Sequence, residues 1–392
     1  MNNPHSLSSP SPSDAGAWEK ASAHVAPAAT MDSHRRRICG ALALLSLGGL
    51  GACGGGASSP PPPQMPTRTW KMGFSATPPR LDTAILLHGI DLWSTRAELA
   101  IIHEELPWTD LLAGMTPDAI LDRDKVQLVQ YFRSKGLQLL FMGDLNDGLA
   151  REKEAPQLLA KGRSIADPAI QQLYRDYMLA VARKLQPDYI GLAAETNLIR
   201  VAAPPALYEG VRVAANAAAA DLRAAGVTTP LMVSVQVETA WGVLGGNGTY
   251  VGIATDFLDF PFMEILGLSS YPYFAYAQPE DIPADYYSRL LAGRAVKGMV
   301  TEGGWTSVGV GAVTSSADEQ ARYVDRHAQL LDSIHALGVI QLLFADVDVA
   351  SLPPPIPANL PLFVNIGFTD SDFNGKPALA RWDALFARRL VP

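Results

Sequence analysis

Two glutamates, Glu195 and Glu302, each close a short apolar segment of the kind that is buried in a parallel sheet. A pair of carboxyl groups can divide acid–base work between them. Burial and the charge of the neighbour keep one group protonated, so that it can donate a proton, while the other stays ionised and can attack an electrophilic carbon. This chemistry requires that the two side chains, 107 residues apart in the chain (302 − 195), meet in the folded protein.

Eight apolar segments, most of them followed by a helix-like segment, are the elements that would position these glutamates. The alternation predicts an α/β fold with a parallel sheet, and eight units favour a closed (β/α)8 TIM barrel, a single domain, over a doubly wound sheet. Predicted strands cover residues 70–75, 99–103, 137–142, 189–197, 231–237, 262–268, 296–301 and 339–344. Predicted helices cover residues 82–93, 122–135, 169–185, 205–225, 282–292, 318–336 and 377–389.

In a closed barrel the loops that follow the strands open at the carboxyl end, where chemistry is done. The spacing of the glutamates corresponds to three strand–helix units of about 36 residues each, which puts Glu195 after strand four and Glu302 after strand seven. These strands face each other across the mouth, so the two carboxyl groups could lie roughly 5 Å apart. That separation is the one used in retaining hydrolysis of a glycosidic bond.

The composition limits the partners and cofactors. At 392 residues and 48% hydrophobic content, the chain can form a barrel of about 250 residues with one large core. A net charge of −8 argues against nucleic acid as a partner. Both cysteines, Cys39 and Cys53, precede the predicted barrel, which excludes a disulfide or a cysteine metal site from the rest of the chain. We expect a monomer that requires no cofactor and no metal.

The start of the chain has the features of a bacterial lipoprotein leader. Three arginines at 35–37 precede an apolar run at 38–48 that is too short to span a bilayer. Residues 50–53, Leu-Gly-Ala-Cys, resemble the lipobox, in which the cysteine is lipidated and becomes the mature N-terminus. An ordinary cleaved signal peptide or a poor transmembrane anchor is the alternative. The pattern predicts lipidation at Cys53.

This leader implies a set of boundaries and a location. Met31 directly precedes the basic run, so the Ser/Pro/Ala-rich residues before it are interpreted as a gene-model extension or as disordered. Gly54 follows the cysteine in place of the Asp that retains lipoproteins at the inner membrane, which favours the outer membrane, facing the periplasm or the exterior. Membrane contact would be through the lipid only. The predicted segments are the extension 1–30, signal peptide 31–53, flexible Gly/Ser/Pro tether 54–68 and barrel domain 69–392.

The motifs around the glutamates resemble those of the clan A glycoside hydrolases, which are retaining (β/α)8 enzymes. Residues 300–305, Val-Thr-Glu-Gly-Gly-Trp, are similar to the nucleophile motif after strand seven, and residues 267–273, Gly-Leu-Ser-Ser-Tyr-Pro-Tyr, to the strand-six motif. Residues 195–197 and 375–382 resemble the strand-four motif and the segment after strand eight. The resemblance covers about residues 70–390 and is strongest to the endo-β-1,4-galactanase-like branch.

The resemblance implies that Glu195 is the acid/base, that Glu302 is the nucleophile and that Tyr271 contacts the nucleophile and the sugar. The sequence departs from the family at Ala194, where the family usually has an Asn that hydrogen-bonds the sugar 2-hydroxyl, a bond that can contribute several kcal/mol at the transition state. Strand eight also lacks the usual Trp and offers Phe344 and Asp346 instead. These departures leave open the identity of the sugar and the activity itself.

Further polar and aromatic side chains lie at the predicted strand ends, where they could contact substrate. An indole face can stack on a pyranose, a tyrosine hydroxyl can bond a sugar, and a histidine can orient a carboxylate. For each of them, core packing or a loop-organising ion pair is the competing interpretation. The predicted substrate-binding residues are Tyr271, Tyr273, Trp305, His103, Asn197, Asp144, Glu238, Asp346 and Trp241.

Other chemistries on this fold find little support. A metal-dependent hydrolase would have His-x-His on strand one, a phosphate-binding barrel would have Gly-rich loops after strands seven and eight, and a serine hydrolase would have Gly-x-Ser-x-Gly. Only Gly303-Gly304 offers a trace of the second. The sequence therefore predicts a lipid-anchored enzyme that hydrolyses β-glycosidic bonds in an oligo- or polysaccharide. The alternative, kept open by Ala194, is a non-catalytic carbohydrate-binding surface lipoprotein.

Overall fold

The computed structural model describes residues 66–391, in which eight parallel strands close into a barrel. The order of the strands around the barrel follows their order in the chain, and the last barrel strand pairs with the first. This confirms the predicted (β/α)8 barrel. The strands are β1 (Lys71–Ser75), β2 (Leu99–Glu105), β3 (Gln138–Asp144), β4 (Tyr189–Gly191), β5 (Leu231–Gln236), β6 (Ile265–Ser270), β7 (Lys297–Gly303) and β8 (Gly338–Gln341).

Helices of very different length connect the strands. Two of the long ones begin where the sequence offers a capping side chain: Asp82 accepts from the backbone N–H of Ile85 at 2.9 Å, and Ser316 from that of Glu319 at 3.3 Å. The helices are α1 (Thr83–Trp93), α2 (Trp108–Leu112), α3 (Pro117–Asp124), α4 (Val126–Ser134), α5 (Pro156–Leu159), α6 (Pro168–Leu185), α7 (Thr196–Ala202), α8 (Pro205–Ala224), α9 (Val237–Ala240), α10 (Ala254–Asp259), α11 (Ser288–Leu291), α12 (Ala317–Ser333) and α13 (Pro377–Phe386).

The helix predicted over 122–135 is two helices, α3 and α4, which meet at Lys125. The backbone of Lys125 leaves the helical region there, with φ −125° and ψ −34°. Its ammonium group is buried and pairs with the carboxylate of Glu104 at 3.1 Å. An ion pair to the barrel therefore interrupts a segment whose apolar pattern is continuous in the sequence.

The helix predicted over 282–292 is wrong for most of its length, because only the four residues of α11 are helical. Tyr286 and Tyr287, just before it, are fully buried. Their hydroxyls bond to Glu238 at 2.7 Å and to Ser270 at 3.1 Å. The burial and hydrogen bonding of these two tyrosines in the barrel wall outweigh the local preference of the segment for a helix.

A short parallel pair outside the barrel joins the two ends of the described chain, Thr67–Arg68 with Arg389–Leu390. Arg68 is buried and pairs with Glu98, so the last residues of the predicted tether, Thr67 and Arg68, belong to the folded domain. The predicted extension, signal peptide and lipidated Cys53 lie outside the described residues and stay predictions. Within residues 66–391, no helix has the length and apolar character needed to cross a membrane.

Apolar side chains fill the inside of the barrel below its mouth. Leu99, Met142, Met232 and Met299 belong to this cluster, and so does Ala194, the residue before Glu195. Because the interior is packed, polar chemistry is confined to the carboxyl end of the strands, where the charged side chains gather. The position before Glu195, where the resemblance would lead one to expect Asn, is thus occupied by a small apolar side chain buried in the barrel interior.

Candidate active site

Glu195 and Glu302 meet over one hydroxyl group at the mouth of the barrel. The Oγ atom of Ser269 lies 2.5 Å from Oε1 of Glu195 and 2.7 Å from Oε1 of Glu302, so these two carboxyl oxygens are at most 5.2 Å apart. Both glutamates are buried, with exposed fractions of 5% and 3%. Because a hydroxyl carries a single proton, one of the two contacts needs a proton on a carboxyl group.

The backbone at Glu195 is held in an unusual conformation. Its φ and ψ of 48° and 45° lie in the left-handed region, which is unfavourable for a residue with a Cβ atom and persists where the surrounding contacts hold it. The hydroxyl of Ser234 accepts from the N–H of Glu195 at 3.0 Å. Two residues on, Asn197 accepts from the N–H of Gln236 at 2.7 Å and donates to its carbonyl at 2.8 Å. These bonds to β5 fix the direction of the Glu195 side chain.

Glu302 owes its direction to an irregularity between β6 and β7. The register of the pair shifts between Leu268 and Ser269, which places Ser269 opposite Glu302. On its other side Oε2 of Glu302 pairs with Nδ1 of His103 at 2.8 Å. The predicted ability of His103 to orient a carboxylate therefore agrees with its position, at the end of β2.

The surroundings push the two glutamates toward opposite protonation states. Burial and the charge of Glu302 raise the pKa of Glu195, although Arg151 opposes this. Burial also disfavours the ionised form of Glu302, but Arg151 and His103 outweigh it and hold the pKa of Glu302 well below its usual range. Burial opposes the charge of His103 too, yet Glu302 and Asp144 raise the pKa of His103 to about 9. The proton on the shared hydrogen bond is thus assigned to Glu195.

Arg151 lies between the two glutamates, and the sequence analysis did not identify it. Its Nη1 is 2.9 Å from Oε2 of Glu195, its Nη2 is 3.3 Å from Oε2 of Glu302, and its Nε is 2.8 Å from Oδ2 of Asp144. It belongs to the loop after β3, in the polar run Arg-Glu-Lys-Glu, a pattern that predicts a solvent-exposed loop. Ser269 and Ser234 were also missed as site residues, since a serine in a strand carries no distinctive signal.

Several predicted substrate contacts lie behind the site with their polar atoms already bonded. Tyr273 donates to the carbonyl of Leu362 at 2.8 Å, and Trp305 donates to Ser315 at 2.9 Å. Trp305 is fully buried, with its indole against Tyr323. In this conformation neither ring offers a free face to a sugar.

The remaining predicted residues divide between the site and its supports. Asp144 lies in the site and pairs with Arg151. Tyr271 is buried next to the site, and burial and the charge of Glu302 raise the pKa of its phenol. Asp346 pairs with Lys376 and accepts from the N–H of Gly367, and it supports a loop. Three more are placed around β5: Asn197 braces Glu195, Glu238 is fully buried among neutral donors, and Trp241 is half-buried with its indole stacked on Tyr286.

Among residues 66–391 there is no group of three or more His, Cys, Asp or Glu side chains arranged to hold a metal ion. The cations of the site are Arg151 and His103, and both belong to the chain. What the arrangement can do is acid–base and nucleophilic chemistry, with one carboxyl group protonated and the other ionised about 5 Å away.

No protein-family model matches the chain, and neither does any curated protein sequence. Among solved structures, the chain is similar to the exo-β-1,4-mannosidase Op5Man5 from Opitutaceae bacterium strain TAV5, with a TM-score of 0.62 and 14% identity over 82% of this chain and 59% of that one. It is also similar to the β-D-glucuronidase of Dictyoglomus thermophilum, with a TM-score of 0.54 and 11% identity over 84% and 51%. The chain spans just over half the length of these structures. The likeness shows the TIM-barrel fold.

Proposed function

We propose that the protein is a retaining β-glycosidase in which Glu302 is the nucleophile and Glu195 is the acid/base. One observation carries this: two buried glutamates meet over one hydroxyl with carboxyl oxygens at most 5.2 Å apart and pKa values displaced in opposite directions. Retaining enzymes need this spacing and this division of protons. The fold, shared with glycoside hydrolases, agrees with the proposal.

In the first step Glu195 gives its proton to the glycosidic oxygen, the bond from that oxygen to the anomeric carbon breaks, and Oε2 or Oε1 of Glu302 bonds to the carbon. In the second step Glu195, now ionised, takes a proton from water as the water attacks the same carbon and releases Glu302. His103 keeps Glu302 ionised throughout, because its pKa of about 9 leaves it charged at neutral pH.

The proposed substrate is a β-linked oligo- or polysaccharide, and the proposed location is the bacterial cell envelope. Lipidation of Cys53 would hold the enzyme at the outer membrane through the tether, as a monomer that contacts the membrane by its lipid alone. Mass spectrometry of the protein from a bacterial host, before and after substitution of Cys53 by Ser, tests the lipid: the expected result is a diacylglyceryl adduct that the variant lacks.

The catalytic roles can be separated with azide and a panel of aryl β-glycosides. Glu302→Ala should lose turnover and regain it with azide, which gives an α-glycosyl azide because the azide replaces the nucleophile. Glu195→Ala should keep activity on substrates with an acidic leaving group, and azide should give the β-glycosyl azide. The exposed Glu280→Ala is the matched control and should behave as the parent protein. Turnover by Glu302→Ala at the parent rate without azide would refute the proposal.

A second candidate is a carbohydrate-binding protein without catalysis. It is favoured by two observations: Ala194 stands where related glycosidases bond the sugar 2-hydroxyl, and Arg151 occupies the space between the glutamates. Saccharide binding by calorimetry, combined with no hydrolysis of any glycoside in the panel, would establish this function instead.

A further inference from the structure

The guanidinium group of Arg151 occupies the place where the anomeric carbon and the glycosidic oxygen would have to lie. Its two terminal nitrogens reach Glu195 at 2.9 Å and Glu302 at 3.3 Å and so bridge the proposed acid and nucleophile. The side chain is 11% exposed. A sugar cannot bridge the same two carboxyl groups until these nitrogens have moved.

The displacement is unfavourable for an uncharged ligand. A buried cation that loses its partners must find new ones or return to water, and a neutral sugar hydroxyl compensates a guanidinium poorly. A carboxylate on the ligand would compensate it well, because carboxylate and guanidinium form a planar pair with two parallel hydrogen bonds.

The rest of the loop is built to stay in place while the terminal nitrogens change partner. The carbonyl of Arg151 accepts from Asn146 at 2.7 Å, and the N–H of Gly148 donates to Glu105 at 2.8 Å. The Nε atom stays beside Asp144 at 2.8 Å. These bonds hold the backbone of the loop and the inner end of the Arg151 side chain, so the proposed exchange concerns the two terminal nitrogens.

We propose that Arg151 selects β-glycosides whose sugar carries a carboxylate, that is, uronosides, by exchanging Glu195 and Glu302 for the carboxylate of the ligand. This inference rests on the proposed function and names its substrate class. The exchange also prepares the chemistry. When Arg151 leaves Glu195, the charge that lowers the pKa of Glu195 is withdrawn, while burial and Glu302 continue to raise it. Glu195 then retains the proton that it must donate.

The test compares substrate pairs that differ only at C6: 4-nitrophenyl β-D-glucuronide with the β-D-glucoside, and the β-D-galacturonide with the β-D-galactoside. The protein should favour a uronoside over its neutral counterpart by roughly 100-fold in kcat/KM, the value of one charge-assisted contact. Arg151→Gln should abolish that preference, and Arg151→Lys, which keeps the charge without the planar fork, should retain part of it. The matched control is Arg163→Gln, a half-buried arginine away from the glutamates that pairs with Asp167 just after the loop.

A second measurement separates failure of this inference from failure of the proposed function. Calorimetry with sodium glucuronate and galacturonate, against glucose and galactose, should show binding of a uronate that Arg151→Gln loses and Arg163→Gln keeps. If the protein hydrolyses neutral glycosides equally well, or if Arg151→Gln keeps the preference, the inference fails and the glycosidase remains. If nothing is hydrolysed but uronate binding depends on Arg151, the inference stands without the enzyme. If no uronate binds and no uronoside is hydrolysed, the inference is overturned.

Discussion

Two of the clusters of buried carboxyl groups at the mouth of this barrel differ in their surroundings. The paired-glutamate cluster contains two cations and three carboxylates: Glu195, Glu302, Asp144, Arg151 and His103. The Glu238 cluster has only neutral donors, and its carboxylate accepts from Gln236, Ser270, Tyr286 and the N–H of Tyr271. Both follow a strand end of the same barrel, and the glutamates of both are buried.

The difference shows how the same residue type takes a chemical or a structural role. In the paired-glutamate cluster, the neighbouring charges help to raise the pKa of Glu195 and to lower that of Glu302. Glu195 is thereby prepared as a proton donor and Glu302 as a nucleophile. Around Glu238, burial raises the pKa to about 7 against four hydrogen bonds, and no second carboxylate shares the proton. Glu238 therefore joins β5 to the end of β6, and its effect on the site is to hold Tyr271 and its neighbours in place.

The largest expected effect is a difference in kcat between variants of the two clusters. Glu302→Gln should lower kcat on a hydrolysed glycoside by on the order of 10⁴-fold or more, because a neutral amide cannot replace the attacking carboxylate. Glu238→Gln, the same chemical change at the same rim, should keep kcat within about tenfold, since it touches no reacting atom. Steady-state kinetics of the two variants give the comparison, and an equal loss in both would erase the distinction between the clusters.

Adjacent serines offer a narrower comparison, because Ser269 belongs to one cluster and Ser270 to the other. Ser269→Ala should lower kcat about ten- to a hundredfold, the value of one hydrogen bond to a charged group, and should move the acid limb of kcat/KM to higher pH, since Ser269 lowers the pKa of Glu302. Ser270→Ala should leave kcat within about threefold and cost about 1 kcal/mol of stability. A pH profile unchanged by Ser269→Ala would contradict the shared role of its hydroxyl.

The sequence was sufficient for the barrel and for the two glutamates because both follow from periodic, local patterns. The eight apolar segments fixed the strands, and their spacing placed Glu195 and Glu302 on facing sides of the mouth. Arg151 could not be predicted, because a polar loop residue becomes a site residue only when closure of the barrel folds the loop inward. Tyr286 was misread for a related reason: the acceptor that draws it out of a helix, Glu238, lies 48 residues earlier in the chain.

A smaller effect concerns stability and its pH dependence at Glu238. Its pKa of about 7 lies above the ordinary value of 4.5, so the folded protein binds this proton more tightly than the unfolded chain does. The resulting stability is complete below pH 4.5 and is lost as the pH rises to 7, by roughly 3 kcal/mol. Glu238→Gln cannot titrate and leaves an amide facing the amide of Gln236. Its deficit against the parent should be about 2 kcal/mol at pH 5 and should shrink or reverse at pH 8.

Urea unfolding at the two pH values measures this difference, with the exposed Glu280→Gln as the control, which should stay within about 0.5 kcal/mol of the parent at both. A deficit for Glu238→Gln that grows between pH 5 and pH 8 would have the wrong sign and would mean that the carboxyl is ionised in the folded protein at pH 5.

The smallest expected effect concerns His103, the cation that remains beside Glu302 after Arg151 has moved. The pKa of His103 is raised to about 9 in the folded protein, so His103 acts on Glu302 as a cation over the whole acid limb. His103→Gln removes that charge, so the pKa of Glu302 rises and the acid limb of kcat/KM should move up by about one pH unit. Above the acid limb the variant and the parent should converge, because Glu302 is then ionised in both proteins. The exposed His88→Gln should leave the whole profile unchanged, whereas a variant that stayed below the parent by a constant factor at every pH would reduce His103 to a packing role.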